Sequence, residues 1–130
     1  MTETERRSRL ARRQLGIGGA VPASTTGIVE VAGRLGGLHA SDPASVYLAL
    51  QARVPGVTVA AIDRAWFEDR AVVKALGMRR TVFLIPSEWL SVLHAACTLP
   101  IERRERRAVI ALLEDHGVAA DGPAWLAAAE

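Results

Sequence analysis

Cysteine is almost missing from this 130-residue chain: Cys97 stands alone, which excludes an internal disulfide framework and fits a reducing compartment. No stretch reaches the roughly 20 consecutive apolar residues that a membrane-spanning helix needs, so no membrane association is expected. The segment Met1 to Arg13 is charged throughout and no apolar h-region follows it, so a secretory signal is not expected and a cytoplasmic location is. Internal repeats and low-complexity tracts are also lacking. His94 and Cys97 lie three residues apart with no second pair of ligands to complete a zinc set, so neither a metal nor any other cofactor is expected.

Half of the residues are hydrophobic and 23% are charged, the balance of a chain that buries a core rather than one that stays disordered. The length suits one ordinary domain, or one domain and the first elements of another. The net charge of +2 is unevenly spread. Arg6, Arg7, Arg9, Arg12 and Arg13 outnumber Glu3 and Glu5 before residue 16, and Arg103, Arg104, Arg106 and Arg107 outnumber Glu102 and Glu105. The remainder is therefore mildly acidic. Two basic segments on such a body are compatible with a polyanionic partner, and equally with solvated helix faces.

The arginine-rich stretch from Glu3 to Leu15 reads as a surface helix, followed by a loop over Gly16, Gly18, Gly19 and Pro22. Ser24, Thr25 and Thr26 supply capping side chains for a helix in which Ile28, Val31, Ala32 and Leu35 share a face until Gly36 and Gly37. Ser41-Asp42-Pro43 starts the next, with Val46, Tyr47, Leu50 and Val54 aligned, and Pro55-Gly56 ends it. Thr58 caps a third, with Val59, Ile62, Trp66 and Phe67 as its apolar stripe and Asp63, Arg64 and Glu68 on its exposed side. Val72 to Leu76 and Thr81 to Ile85 then read as two strands around an arginine-bearing turn, although the first run also suits a helix. Beyond Pro86, Ser87 is expected to cap a helix that turns Trp89, Leu90, Leu93 and Cys97 inward and ends at Pro100. Ile101 to His116 and a last helix opened by Asp121-Gly122-Pro123 complete the chain.

Three helices followed by an arginine-tipped β hairpin predict a mainly α fold of winged-helix (helix-turn-helix) type with additional helices after it. The expected divisions are a basic helix and loop over 1–25, a winged-helix domain over 26–86, and a helical extension over 87–130 that begins a further domain. Trp66, Trp89 and Trp125 fall on apolar helical faces and are expected in the core. Arg79 and Arg80, adjacent at a hairpin turn with no obvious internal partner, are placed to contact phosphates, with Arg64, Arg70, Arg12 and Arg13 adding charge. A solubilising turn is the alternative.

His39, Ser41 and Asp42 concentrate the polar side chains able to act on a substrate. Histidine moves protons near neutral pH, serine positions a water, and aspartate acts as a base or stabilises positive charge. The competing reading makes Asp42 or Ser41 a helix cap and packs His39 into the turn.

The run Leu38-His39-Ala40-Ser41-Asp42-Pro43, with Val46-Tyr47-Leu48 and Ala52-Arg53-Val54-Pro55-Gly56 after it, resembles the N-terminal part of winged-helix proteins related to the AlkZ and AlkX (YcaQ-like) DNA glycosylases. Val73-Lys74-Ala75-Leu76-Gly77-Met78-Arg79-Arg80-Thr81-Val82-Phe83-Leu84-Ile85-Pro86 is similar to that family's arginine-threonine wing strand. The resemblance implies a monofunctional glycosylase that hydrolyses the N-glycosidic bond of alkylated purines, some members also unhooking interstrand crosslinks, with tandem winged-helix domains cradling double-stranded DNA. It also implies that this chain is part of a longer protein. Where characterised members carry glutamine, an apolar residue, then glutamine or aspartate, this sequence has His39, Ala40 and Ser41. The resemblance thus implies DNA binding more directly than catalysis. A non-catalytic transcription regulator or a protein-interaction module of the same fold is the alternative.

Overall fold

The computed structural model describes residues 1–14 and 21–129; the expected glycine loop at Gly16 to Gly19 lies outside them. Helix α1 spans Glu3–Arg13, opened by the Thr2 hydroxyl accepting from the Glu5 amide, and it buries no residue. Two ion pairs line its surface: Arg7 meets Glu3 at 3.0 Å and Arg9 meets Glu5 at 2.7 Å, each four residues apart.

The core begins with α2, Thr25–Arg34, whose Ser24 side chain caps the Gly27 amide. Its buried face is Gly27, Ile28, Val31 and Ala32, the pattern expected from the three- and four-residue spacing. Helix α3, Pro43–Gln51, starts with Asp42 as cap and proline in its first turn, where a missing amide hydrogen costs nothing. Helix α4, Val59–Asp63, is capped by Thr58 and runs on into a single π turn over Arg64–Glu68. Ile28, Val31, Val46, Leu50, Val54 and Ile62 are all wholly removed from solvent and form one cluster with Trp66 and the sheet. Burying each such side chain contributes about 1.5 to 3 kcal/mol.

Among the described residues the sheet has three strands rather than the expected two. Strands β2, Val72–Leu76, and β3, Val82–Pro86, form the predicted antiparallel hairpin, with Ala75 opposite Phe83. A short β1, Leu38–His39, pairs on the other edge of β3, giving the order β1-β3-β2. Two residues carry no period that sequence reading can detect. They are drawn into the sheet by their neighbours: Gly36 and Gly37 turn the chain at φ 72° and 105°, and the Ala40 amide donates to the Val82 carbonyl at 2.8 Å. A side chain at Gly37 would also be crowded, since its Cβ would stand 3.1 Å from the Ile85 side chain.

The region after Pro86 departs most from expectation. Ser87 caps nothing; its amide donates to the Ala71 carbonyl at 3.0 Å and its hydroxyl to the Arg70 carbonyl, which fastens the end of β3 to the start of β2. A 3₁₀ turn at Ser87–Trp89 leads into α5, Leu90–Leu93, then a π turn at His94–Thr98 and α6, Leu99–Asp115. Pro100 does not end the helix. It sits in the first turn of α6, directly after the π turn, where the wider ring of backbone accommodates a residue without an amide hydrogen. Helix α7, Gly122–Ala129, follows, with the Asp121 carboxylate accepting from the Ala124 amide at 2.9 Å.

None of these later helices buries a large side chain. Trp89 is 39% and Trp125 46% exposed, so only Trp66 of the three tryptophans joins the core. Leu90 and Phe67, both expected inward, also lie open to solvent. Periodicity gives a helix face, and it is the neighbouring elements that decide whether anything covers it. No helix among the described residues is long and apolar enough to cross a membrane.

Candidate functional site

The hairpin turn joins β2 to β3 through Gly77 to Thr81. Its two central residues, Arg79 and Arg80, have φ of 57° and 61°, the signs of a type I′ turn, and the Thr81 amide donates to the Met78 carbonyl at 3.2 Å. Such positions favour Asn and Gly, because a Cβ crowds the backbone there. Here both are arginine. Among the described residues the third non-glycine residue with positive φ is also an arginine, Arg70 at 49°, at the entry to β2. Left-handed non-glycine residues are uncommon and gather at functional sites.

The two turn arginines differ in their partners. Arg80 reaches Glu105 of α6 at 2.9 Å, which corrects the expectation that neither has an internal partner. Its side chain remains 57% exposed, so the pair is a surface contact that solvent screens. Arg79 and Arg70 have no carboxylate partner among the described residues. Arg64 lies 3.7 Å from Glu68 in a loose surface pair.

Arg12 and Arg13 occupy the last turn of α1. That turn is fixed by a residue the sequence reading missed: Arg53 donates from Nε to the Gln14 carbonyl at 2.8 Å and from Nη1 to the Ala49 carbonyl at 2.9 Å, joining the end of α1 to α3. An arginine acting on two carbonyls leaves no spacing signature.

His39 lies exposed on β1, its ring edge-on to Phe83 with centroids 6.0 Å apart. Ser41 is exposed and has no hydrogen-bond partner among the described residues, while Ala40 between them is fully buried. Asp42 is committed locally. One carboxylate oxygen accepts the Ala44 amide at 3.1 Å and the other accepts the Ser45 hydroxyl at 3.0 Å. The three residues are thus contiguous at the junction of β1 and α3, and the capping reading describes how Asp42 is used. No group of three or more potential metal ligands is present among the described residues.

A second cluster lies around the π turn. The Trp66 and Phe67 rings are parallel to within 9° with centroids 4.9 Å apart, and the Lys74 ammonium sits 5.4 Å from the Trp66 centroid. The Tyr47 hydroxyl donates to Asp63 at 2.6 Å. That bond, with burial and the nearby carboxylate charge, raises the Tyr47 pKa above its ordinary 10.0. A family model described as DNA glycosylase AlkZ-like matches residues 32–130. No curated protein and no solved structure matches the chain.

Proposed function

The chain belongs to the AlkZ-like DNA glycosylase family, and from that premise we propose that it is a DNA-binding unit of winged-helix type in a protein with a DNA-repair role. The order α2, β1, α3, α4, β2, β3 with a β1-β3-β2 sheet supports the winged-helix reading. In that reading α4 addresses the groove of a double-stranded DNA and the hairpin touches its backbone. Residues 26–86 are the winged-helix domain, 1–25 a basic preface, and 87–130 the opening of a further helical domain.

One observation carries the proposal. Two adjacent arginines hold left-handed backbone conformations at an exposed turn where other residues fit with less strain. Their guanidinium groups contact phosphates, joined by Arg64, Arg70, Arg12 and Arg13. The engagement of both Asp42 oxygens, one by the Ala44 amide and one by the Ser45 hydroxyl, favours DNA binding without strong catalysis by this unit. Were it to excise bases, His39 and Ser41 would hold the water that adds to the sugar as the base leaves, and Asp42 would have to release its cap to stabilise the cationic sugar.

Duplex affinity measured against salt tests the binding: each phosphate contact adds about 0.9 to the magnitude of the log–log slope, so Arg79→Ala and Arg80→Ala should each reduce it by about that amount. A flat dependence in the unaltered chain sinks the reading and points to a protein partner. Excision of alkylated bases, followed as abasic-site formation, tests the chemistry with His39→Ala, Ser41→Ala and Asp42→Ala. Activity that survives all three removes these residues from it.

A further inference from the structure

Arg64 and Arg70 at the π turn are already placed on phosphates, but the aromatic pair between them has no role in that binding. Consecutive side chains on an α-helix diverge by about 100°. In the π turn of Arg64–Glu68, Trp66 and Phe67 instead lie face to face, 4.9 Å apart and 9° from parallel. Trp66 is buried to 9% exposure and anchored in the core, while Phe67 is 60% exposed. The outer ring is therefore supported from behind and open in front.

The charges around it are sorted. Asp63 accepts from Tyr47, Asp69 accepts from the Thr25 hydroxyl at 2.9 Å, and Glu68 faces Arg64 at 3.7 Å. Asp63 and Asp69 thus each accept a hydrogen bond within the protein and Glu68 is only loosely paired, whereas Arg70 and Lys74 have no carboxylate partner among the described residues. Lys74 lies against the Trp66 ring instead. An exposed ring stacked on a tryptophan that also holds a lysine, with Arg70 three residues further along the chain, fits a ligand that is aromatic and anionic at once.

We infer that Phe67, backed by Trp66, is a stacking platform for one unpaired nucleobase of a DNA strand, with Lys74 and Arg70 beside its phosphate. The site is separate from His39. Cross-strand partners share a sheet face and successive residues alternate, so Lys74, Leu84 and Leu38 lie on one face, and Ala75, Phe83 and His39 on the other. The inference rests on the DNA-binding reading, and it adds a preference that fully paired DNA does not reveal.

Three ligands test it: a fully paired duplex, the same duplex with one extra unpaired base, and a third in which that extra nucleotide lacks its base. The chain should bind the second about tenfold more tightly than the third, the order of effect expected from one base–aromatic stack. Phe67→Ala should abolish that difference and leave fully paired binding unchanged, Phe67→Tyr should keep it, and Lys74→Ala should weaken binding to both unpaired ligands. Paired-duplex binding with no preference for the base, or a preference that survives Phe67→Ala, overturns the inference alone and leaves the ring to a protein partner. No binding to any duplex overturns the DNA-binding reading, and the inference with it.

Discussion

Replacing Arg79-Arg80 with Asn-Gly sets backbone energy against ligand contact at a single turn. Each arginine sits at positive φ, where a side chain other than glycine costs about 1 kcal/mol or somewhat more. Asn-Gly is the pair such a turn favours, so the exchange should recover about 2 kcal/mol. It also removes the Arg80–Glu105 contact, which at 57% and 39% exposure is a surface pair. Pairs of that kind contribute at most about 1 kcal/mol. The variant should therefore be more stable by about 1 kcal/mol, a rise of roughly 3 to 5 °C in Tm for a chain of this length. Thermal melting followed by circular dichroism reads that change. Duplex binding across a salt series reads the other side: two lost phosphate contacts should lower the magnitude of the log–log slope by about 1.8. Glu105→Gln separates the two effects, because it breaks the ion pair and leaves the turn intact. A variant that is less stable refutes the strain argument, and a more stable variant with an unchanged slope refutes the assignment of these arginines to phosphates.

Three further outcomes follow from the packing. Tyr47 is the only tyrosine, so tyrosinate absorbance follows its ionisation directly; it should titrate above 10.0, and Asp63→Asn should bring it down. Because the folded value is raised, the stabilisation is complete below the ordinary tyrosine pKa and fades as the pH climbs through the folded one, so Tyr47→Phe should flatten the alkaline loss of stability. Gly27→Ala should destabilise the fold severely although alanine favours helix by about 1 kcal/mol, because its Cβ would fall 1.9 Å from the Pro22 carbonyl oxygen; chemical denaturation measures the loss. Asp42→Ala should cost about 1 kcal/mol through loss of the α3 cap, while Asp42→Ser should recover most of it in the same measurement.

What the sequence determined alone is local. Caps at Ser24, Thr58 and Asp121, a cap at Ser41 or Asp42, the proline opening α3, and the face shared by Ile28, Val31 and Ala32 all follow from interactions within a few residues and could be read from spacing and side-chain chemistry, whereas Val72 to Leu76 suited a helix as well as the strand it forms. The position of His39, Ser41 and Asp42 as one contiguous group was equally legible, as was an arginine-bearing turn.

The tertiary structure decided everything that needs a partner from elsewhere in the chain. It made a strand of Leu38–His39 by laying it beside β3, tied Arg53 to the end of α1, and brought Glu105 to Arg80 across 25 residues. It also left Trp89, Trp125 and Phe67 facing solvent, although their spacing matches that of buried residues. An apolar side chain is drawn out of water wherever a surface exists to receive it, and the supply of that surface depends on how distant segments meet.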